Sequence, residues 1–232
     1  MAPALREHIL NSFETALRAL HDDVLLMASL TERNLQNTFT ALFDRDNELA
    51  NQAIADDEEI DILEKQVDQE GMDILLRFQP VARDLRGIIA AMKIGANLER
   101  VADQATSIAR RVRKLNEEPA LPETHQLEAM TREALAMLKD SLQAFTDGDA
   151  ELALGIKPRD RQLDEMNRQL AAKMTERMAA DSNQVRSYLD LIFIARNLER
   201  IGDHATNIAE DAIYAAQARD IRHSNGTPQS AA

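Results

Sequence analysis

A thirteen-residue segment recurs 100 positions further along the chain, and this internal repeat constrains the fold more than any other feature. Residues 97–109 read NLERVADQATSIA and residues 197–209 read NLERIGDHATNIA, so nine of the thirteen positions are identical. Repetition of this kind is typical of proteins that contain copies of one structural unit. We therefore predict two tandem units with the same layout.

The composition indicates that each unit is helical. The 232 residues include only 7 Gly and 6 Pro, and aromatic side chains make up 3% of the chain. Sandwiches, barrels and propellers need frequent turns, which ordinarily take more Gly and Pro than this. The chain is filled instead by residue types that lose little on entering a helix, such as Ala, Leu, Glu and Arg. We therefore predict an all-α protein.

Apolar periodicity divides the chain into six long helical segments, which are separated by short polar or proline-containing breaks. The predicted helices cover 5–42, 48–78, 81–115, 123–145, the stretch from the break at 147–149 to 180, and the stretch from the break at 181–183 to 219. Three helices in each repeat predict two tandem three-helix bundles, at 1–117 and 123–219. The remaining residues, 220–232, have nothing to bury and are predicted to form a disordered tail.

Charge and cysteine content restrict the binding partners and the cellular compartment that we expect for the protein. The chain has 40 acidic and 27 basic residues, a formal net charge of −13, and this sign disfavours binding to nucleic acid or to an anionic lipid surface. Cys is absent, which excludes disulfides and thiolate metal sites and fits a reducing compartment. Without a signal-peptide pattern or an apolar run long enough for a membrane span, the chain is expected to be soluble and cytoplasmic.

Each predicted bundle carries two pairs of carboxylates at i, i+4 spacing, one pair on its middle helix and one on its third helix. The pairs are Asp57 and Asp61, Glu99 and Asp103, Asp160 and Asp164, and Glu199 and Asp203. In an antiparallel hairpin, the two pairs of one bundle can lie on the same side, and a cation would relieve the repulsion between stacked acids. Oxygen ligands without Cys and with little His favour Mg²⁺, Mn²⁺, Ca²⁺ or ferric iron over Zn²⁺.

Two interpretations of these acids remain open at this stage. They are either metal ligands or part of a solvated helix face, on which Arg100 and Arg200 would be their partners. His204 follows Asp203, but its counterpart in the first repeat is Gln104. That asymmetry favours a surface or hydrogen-bonded role for His204 over a ligand role.

Most enzyme chemistries lack their motifs in this chain. It has no Gly-rich phosphate loop and no nucleophile elbow, and none of its 5 His residues follows a Glu by three positions, as ferritin-like di-iron sites require. A Mg²⁺-dependent helical enzyme acting on a diphosphate substrate remains the alternative. Against it, the segment 56–60 lacks the closing Asp of an Asp-Asp-x-x-Asp box, and the sequence shows no Lys/Arg cluster ready for a diphosphate.

Three segments of the chain are distinctive: QPVARDLR at 79–86, LERVAD at 98–103 and LERIGDHATNIAE at 198–210. They resemble the PhoU family, the regulators of bacterial phosphate-specific transport, and residues 220–223 extend the resemblance. The resemblance implies two three-helix bundles and a cytoplasmic adaptor without catalytic activity. This adaptor would link the ATPase subunit of the phosphate ABC transporter to the PhoR sensor kinase at the inner membrane. It would restrain phosphate uptake and starvation signalling when phosphate is plentiful.

The resemblance also assigns a Mg, Mn or Fe ion to the repeated Glu-x-x-x-Asp motifs, with the middle-helix pairs facing them. Three positions depart from the family pattern. The first repeat has Val101-Ala102 where Ile-Gly is usual and Asn97 where an acid is common, which predicts a weaker first site. Pro158 is expected to kink the fifth helix and to displace its acid pair. Whether the protein is a monomer or a homodimer is left open.

Overall fold

The computed structural model describes residues 3–221, and all of the regular secondary structure in that range is helical. Seven α-helices are present in it, six of them long. Their bounds are α1 Pro3–Asp44, α2 Asn47–Phe78, α3 Ala82–Glu117, α4 Glu128–Asp147, α5 Ala150–Leu154, α6 Ile156–Ala180 and α7 Val185–Gln217. Short 3₁₀ segments, Pro122–Leu127 and Ser182–Gln184, precede α4 and α7. The all-α prediction is confirmed, whereas the predicted tail at 220–232 falls almost entirely outside the described residues.

The long helices form two three-helix bundles, as predicted. In the first bundle α1, α2 and α3 pack against one another, and in the second α4, α6 and α7 do so. Buried apolar side chains from both bundles form one continuous core. The division into separate domains at 1–117 and 123–219 therefore stays a prediction.

Helices α3 and α7 join the bundles through an antiparallel interface, which is one of the most extensive helix pairings in the protein. Its direction follows from two ion pairs. Lys93 Nζ lies 2.9 Å from Asp211 Oδ1 near one end, and Arg111 Nη1 lies 2.7 Å from Asp190 Oδ1 near the other. Residue numbers increase along α3 in the direction in which they decrease along α7. The repeated segments of the two helices therefore meet near the middle of the interface.

Local sequence explains where several helices begin and end. The carboxylate of Asp46 accepts hydrogen bonds from the backbone N–H groups of Glu48 and Leu49 and so caps the start of α2. Asp149 caps α5 in the same way. At the other end of α2, Gln79 adopts a left-handed conformation with φ of 48° immediately before Pro80, and the helix ends there.

The predicted fifth helix is interrupted, but not at Pro158. The break lies at Gly155, between α5 and α6. Pro158 is the third residue of α6, in the first turn, where its missing N–H has no helical acceptor to lose. The expectation of a proline kink is therefore wrong, because the helix restarts just before the proline.

Candidate functional site

In the first bundle, the two carboxylate pairs lie on adjacent helices and influence each other electrostatically. Asp57 and Asp61 are on α2, Glu99 and Asp103 are on α3, and all four are partly buried. Burial, and then the neighbouring carboxylate of Asp103, raises the pKa of Glu99 to about 7. Burial, and then Asp61 and Asp103, raises the pKa of Asp57. The fold thus gathers these four acids, which we call the first acidic cluster.

The second bundle repeats this arrangement on α6 and α7. Asp160 and Asp164 from α6 face Glu199 and Asp203 from α7, and we call these four residues the second acidic cluster. Burial, and then the charges of Asp203 and Asp164, raises the pKa of Asp160 to about 6. Burial is also the main cause of the raised pKa of Glu199 and of Asp203, followed by neighbouring carboxylates. Asp203 is the most exposed of the four.

The two clusters differ in how their charge is compensated. Arg100 lies 3.3 Å from Glu99 Oε2 and 3.2 Å from Asp103 Oδ2, so it serves as a counter-ion for the first cluster. No acid of the second cluster forms an ion pair with any described residue. The second cluster therefore carries more uncompensated negative charge.

The amino-acid sequence of both bundles is similar to that of a known family. The family model of the PhoU domain matches it twice, over residues 24–112 and 127–212. The chain belongs to the PhoU family. The two matches cover the two bundles, so they also confirm that the chain contains two copies of one helical unit.

Individual members of the PhoU family match over most of their length. A phosphate-specific transport system accessory protein PhoU homologue from Pseudomonas putida is 37% identical over 221 residues, which are 95% of this chain and 86% of that protein. The crystal structure of PhoU from Pseudomonas aeruginosa superimposes with a TM-score of 0.87 at 35% identity, covering 89% of this chain and 100% of the other. For the phosphate transport system regulatory protein PhoU from Streptococcus pneumoniae, the TM-score is 0.81 at 27% identity, covering 90% and 98%.

The acids of this PhoU-family chain have the chemistry that a hard metal ion requires. Asp160 Oδ1 of the second cluster is buried and accepts no hydrogen bond from any described residue, whereas Glu99 Oε2 of the first cluster has Arg100 as its ion-pair partner. Within the described residues, no three Asp, Glu or His side chains are already arranged around one point with metal-binding geometry. An ion would therefore have to draw the two pairs of a cluster closer together.

The polar contacts between the two repeats could not be predicted from the sequence. His204 Nδ1 lies 3.0 Å from Asn97 Oδ1, and Asn207 Nδ2 lies 3.4 Å from the same oxygen. Asn97 donates its own amide to the backbone oxygen of Lys93, so its Oδ1 is left as the acceptor. His204 is thus a hydrogen-bonded interface residue, which is one of the roles expected from the sequence.

The linear sequence shows no cluster of basic residues, but the fold brings three of them together. Arg100, Lys157 and Arg200, which are far apart in the sequence, line one groove together with Asp203. The sequence does show that Arg100 and Arg200 occupy the same position of the repeat. It does not show that α3 and α7 cross, and without that crossing the two arginines cannot be placed in one groove.

Gly202 allows α6 and α7 to approach closely beside the second acidic cluster. A Cβ atom at this position would lie 2.6 Å from Leu163 Cδ2 and 3.4 Å from Asp160 Oδ1, and Leu163 is fully buried. We expect Gly202→Ala to lower the free energy of unfolding by about 1 to 3 kcal/mol through overpacking, as measured by urea denaturation. Gly87→Ala is the matched control.

The control separates overpacking from helix propensity. A Cβ at Gly87 meets nothing within 4 Å, so Gly87→Ala should stabilise α3 by roughly 0.5 to 1 kcal/mol. If Gly202→Ala stabilises the protein by as much as Gly87→Ala, the close approach of α6 and α7 is not needed.

Proposed function

We propose that this protein is a regulator of phosphate homeostasis that acts by contact with other proteins. In the proposed role it connects the ATPase subunit of the phosphate ABC transporter with the PhoR sensor kinase, and it restrains uptake and starvation signalling when phosphate is plentiful. The support comes from family membership, since relatives that match nearly the whole chain are named accessory or regulatory proteins of phosphate transport.

The proposed location is the cytoplasmic face of the inner membrane, reached through these partners. No helix within residues 3–221 has the length and apolar character that crossing a bilayer requires. The net charge of −13 opposes direct binding to anionic lipid. Recruitment should therefore depend on protein contacts.

The proposed role includes a Mg, Mn or Fe ion at each acidic cluster. Asp57, Asp61, Glu99 and Asp103 would hold the first ion, and the members of the second cluster would hold the other. A hard cation would neutralise carboxylates that now raise each other's pKa, and it could accept a carboxylate of a partner protein as a further ligand. The buried oxygen Asp160 Oδ1, which accepts no hydrogen bond within the described residues, is the observation that supports the second site.

Flotation of vesicles tests the proposed recruitment. We expect vesicles that contain the phosphate transporter and PhoR to capture the purified protein, and bare anionic vesicles to leave it in the soluble fraction, because its charge repels them. Vesicles with an unrelated ABC transporter serve as the control for non-specific protein contact. Equal capture by all three preparations would show that recruitment does not depend on these partners.

One observation supports the diphosphate enzyme as a second candidate. Asp203, a proposed metal ligand, shares its groove with Arg100, Lys157 and Arg200, and cations beside a metal-binding carboxylate are what such an enzyme requires. Release of inorganic phosphate or diphosphate from diphosphate compounds in the presence of Mg²⁺ would support this candidate. The adaptor proposal predicts that no product is released.

A further inference from the structure

A groove with a volume of about 740 Å³ lies at the crossing of α3 and α7, and several charged side chains line it. We call it the inter-repeat groove and define it by Arg100 on α3, Lys157 on α6, and Arg200, Asp203 and Glu210 on α7. The duplication explains its composition. Because α3 and α7 are antiparallel and their repeated segments meet, the same arginine of each repeat comes to line the same groove.

The inter-repeat groove concentrates positive charge in a strongly acidic protein. Arg200 forms no ion pair with any described residue, and Arg100, which is 61% exposed, is held only by its neighbours Glu99 and Asp103. Lys157 Nζ lies 3.6 Å from Glu210 Oε1. The ion pair between Arg100 and Asp103 is exposed on both sides and contributes little stability, so an anion can compete for Arg100 and can also contact Arg200.

Neutral hydrogen-bond donors surround the cations. Gln104 and Asn207 line the groove, and so does Thr206, whose hydroxyl is buried and has no hydrogen-bond partner within the described residues. Guanidinium groups present several N–H donors in a fixed plane and bind tetrahedral oxyanions well. The groove therefore offers many donors to a ligand with several oxygen atoms.

The two carboxylates of the groove restrict which oxyanion it accepts. Asp203 and Glu210 repel an anion that has no proton, but each can accept a hydrogen bond from an anion that keeps one. Inorganic phosphate keeps a proton at neutral pH, whereas sulfate has none. A phosphate monoester has a second pKa of about 6 and has largely lost its proton at pH 7.

We propose that the inter-repeat groove binds free inorganic phosphate, held by Arg100, Arg200 and Lys157 and selected by the carboxylates of Asp203 and Glu210. This binding goes beyond the adaptor role, because it requires no partner protein. It also differs from the proposed metal sites, because the ligand is an anion and its main contacts are cations from both repeats.

Calorimetric titration of the purified full chain tests the proposal. The buffer contains chloride and has a pH of about 7.5, where phosphate monoesters are mostly dianions. It also contains a chelator, so that phosphate cannot bind through a metal ion held by the acidic clusters. Inorganic phosphate, sulfate and glycerol phosphate are titrated in turn. We expect phosphate to bind at least about ten-fold more tightly than the other two, the difference that one hydrogen bond to a charged group supplies.

Variants locate the binding in the groove. Arg200→Ala should weaken phosphate binding by about ten-fold or more, because it removes a charge-assisted contact. Arg168→Ala is the matched control, because it changes the net charge by the same amount. Arg168 is an exposed arginine on α6 that pairs with Glu165 at 2.6 Å. Asp203→Asn and Glu210→Gln test selectivity, and at least one of them should reduce the preference for phosphate over sulfate. Circular dichroism checks that each variant is folded.

Three results would overturn the proposal: no binding of phosphate by the folded protein, equal affinities of Arg200→Ala and Arg168→Ala for phosphate, or a preference over sulfate that neither carboxylate variant alters. Flotation of vesicles reports separately on the adaptor role. Phosphate binding without capture by transporter vesicles would count against the adaptor role alone, and capture without phosphate binding would count against the groove alone.

Discussion

Replacing Glu199 and Asp203 together by alanine is expected to remove one metal ion per chain and to leave the fold intact. Both side chains are on the flank of α7 and outside the apolar core. They account for half of the second acidic cluster, and no described cation pairs with them. Loss of both should leave too few oxygen ligands for a hard ion. The measurement is elemental analysis of protein purified without chelator, together with thermal unfolding.

A matched pair of acids on α6 controls for the change in net charge. Glu165 and Glu176 are exposed and outside both clusters, so their double alanine variant should keep the full metal content. Unchanged metal in the Glu199/Asp203 variant would show that the ligands lie elsewhere. Substantial unfolding of that variant would mean that the two acids support the structure instead.

The all-α fold with two bundles could be predicted from the sequence because its causes are local and repeated. Apolar periodicity specifies which face of each helix is buried, and the repeat shows that the pattern occurs twice. The i, i+4 spacing of Glu99 and Asp103, and of their counterparts in the second repeat, places each pair on one side of its helix. The placement of both acids of a pair on one side of their own helix therefore follows from rules that apply within a single helix.

Contacts between the repeats could not be predicted in the same way. Periodicity indicates that a face of α3 is buried, but it does not show that α7 covers that face or that the two helices run in opposite directions. The hydrogen bond between Asn97 and His204 and the groove shared by Arg100 and Arg200 depend on that crossing. The position of the helix break at Gly155 was missed for a different reason, since a proline is a strong signal for a break only when it is outside the first turn.

In chelated protein, Glu99→Gln is expected to raise the free energy of unfolding at about pH 8 by an amount on the order of 2 to 3 kcal/mol. The cause is the cost of keeping the Glu99 carboxylate charged in the folded state. Its pKa is raised from an ordinary value of 4.5 to about 7, mainly by burial and then by the carboxylate of Asp103. Gln has nearly the same shape and carries no charge to desolvate.

The stability advantage of Glu99→Gln depends on pH. Above pH 7 the carboxylate is charged in both the folded and the unfolded state, so the cost of burying the charge is present in full. As the pH falls from about 7 towards 4.5, the folded state takes up its proton first and the cost is relieved. Below that range Glu99 is protonated in both states, and the advantage of the Gln variant should disappear.

Chemical denaturation of both proteins across this pH range measures the effect, and Glu58→Gln is the control. Glu58 is an exposed acid on α2, so its variant makes the same change in charge without relieving a buried carboxylate. If Glu99→Gln destabilises the protein at about pH 8, the ion pair with Arg100 at 3.3 Å outweighs the cost of burial. Metal-free Glu99 would then be a satisfied structural acid, and the first acidic cluster would lose its main argument as a metal site.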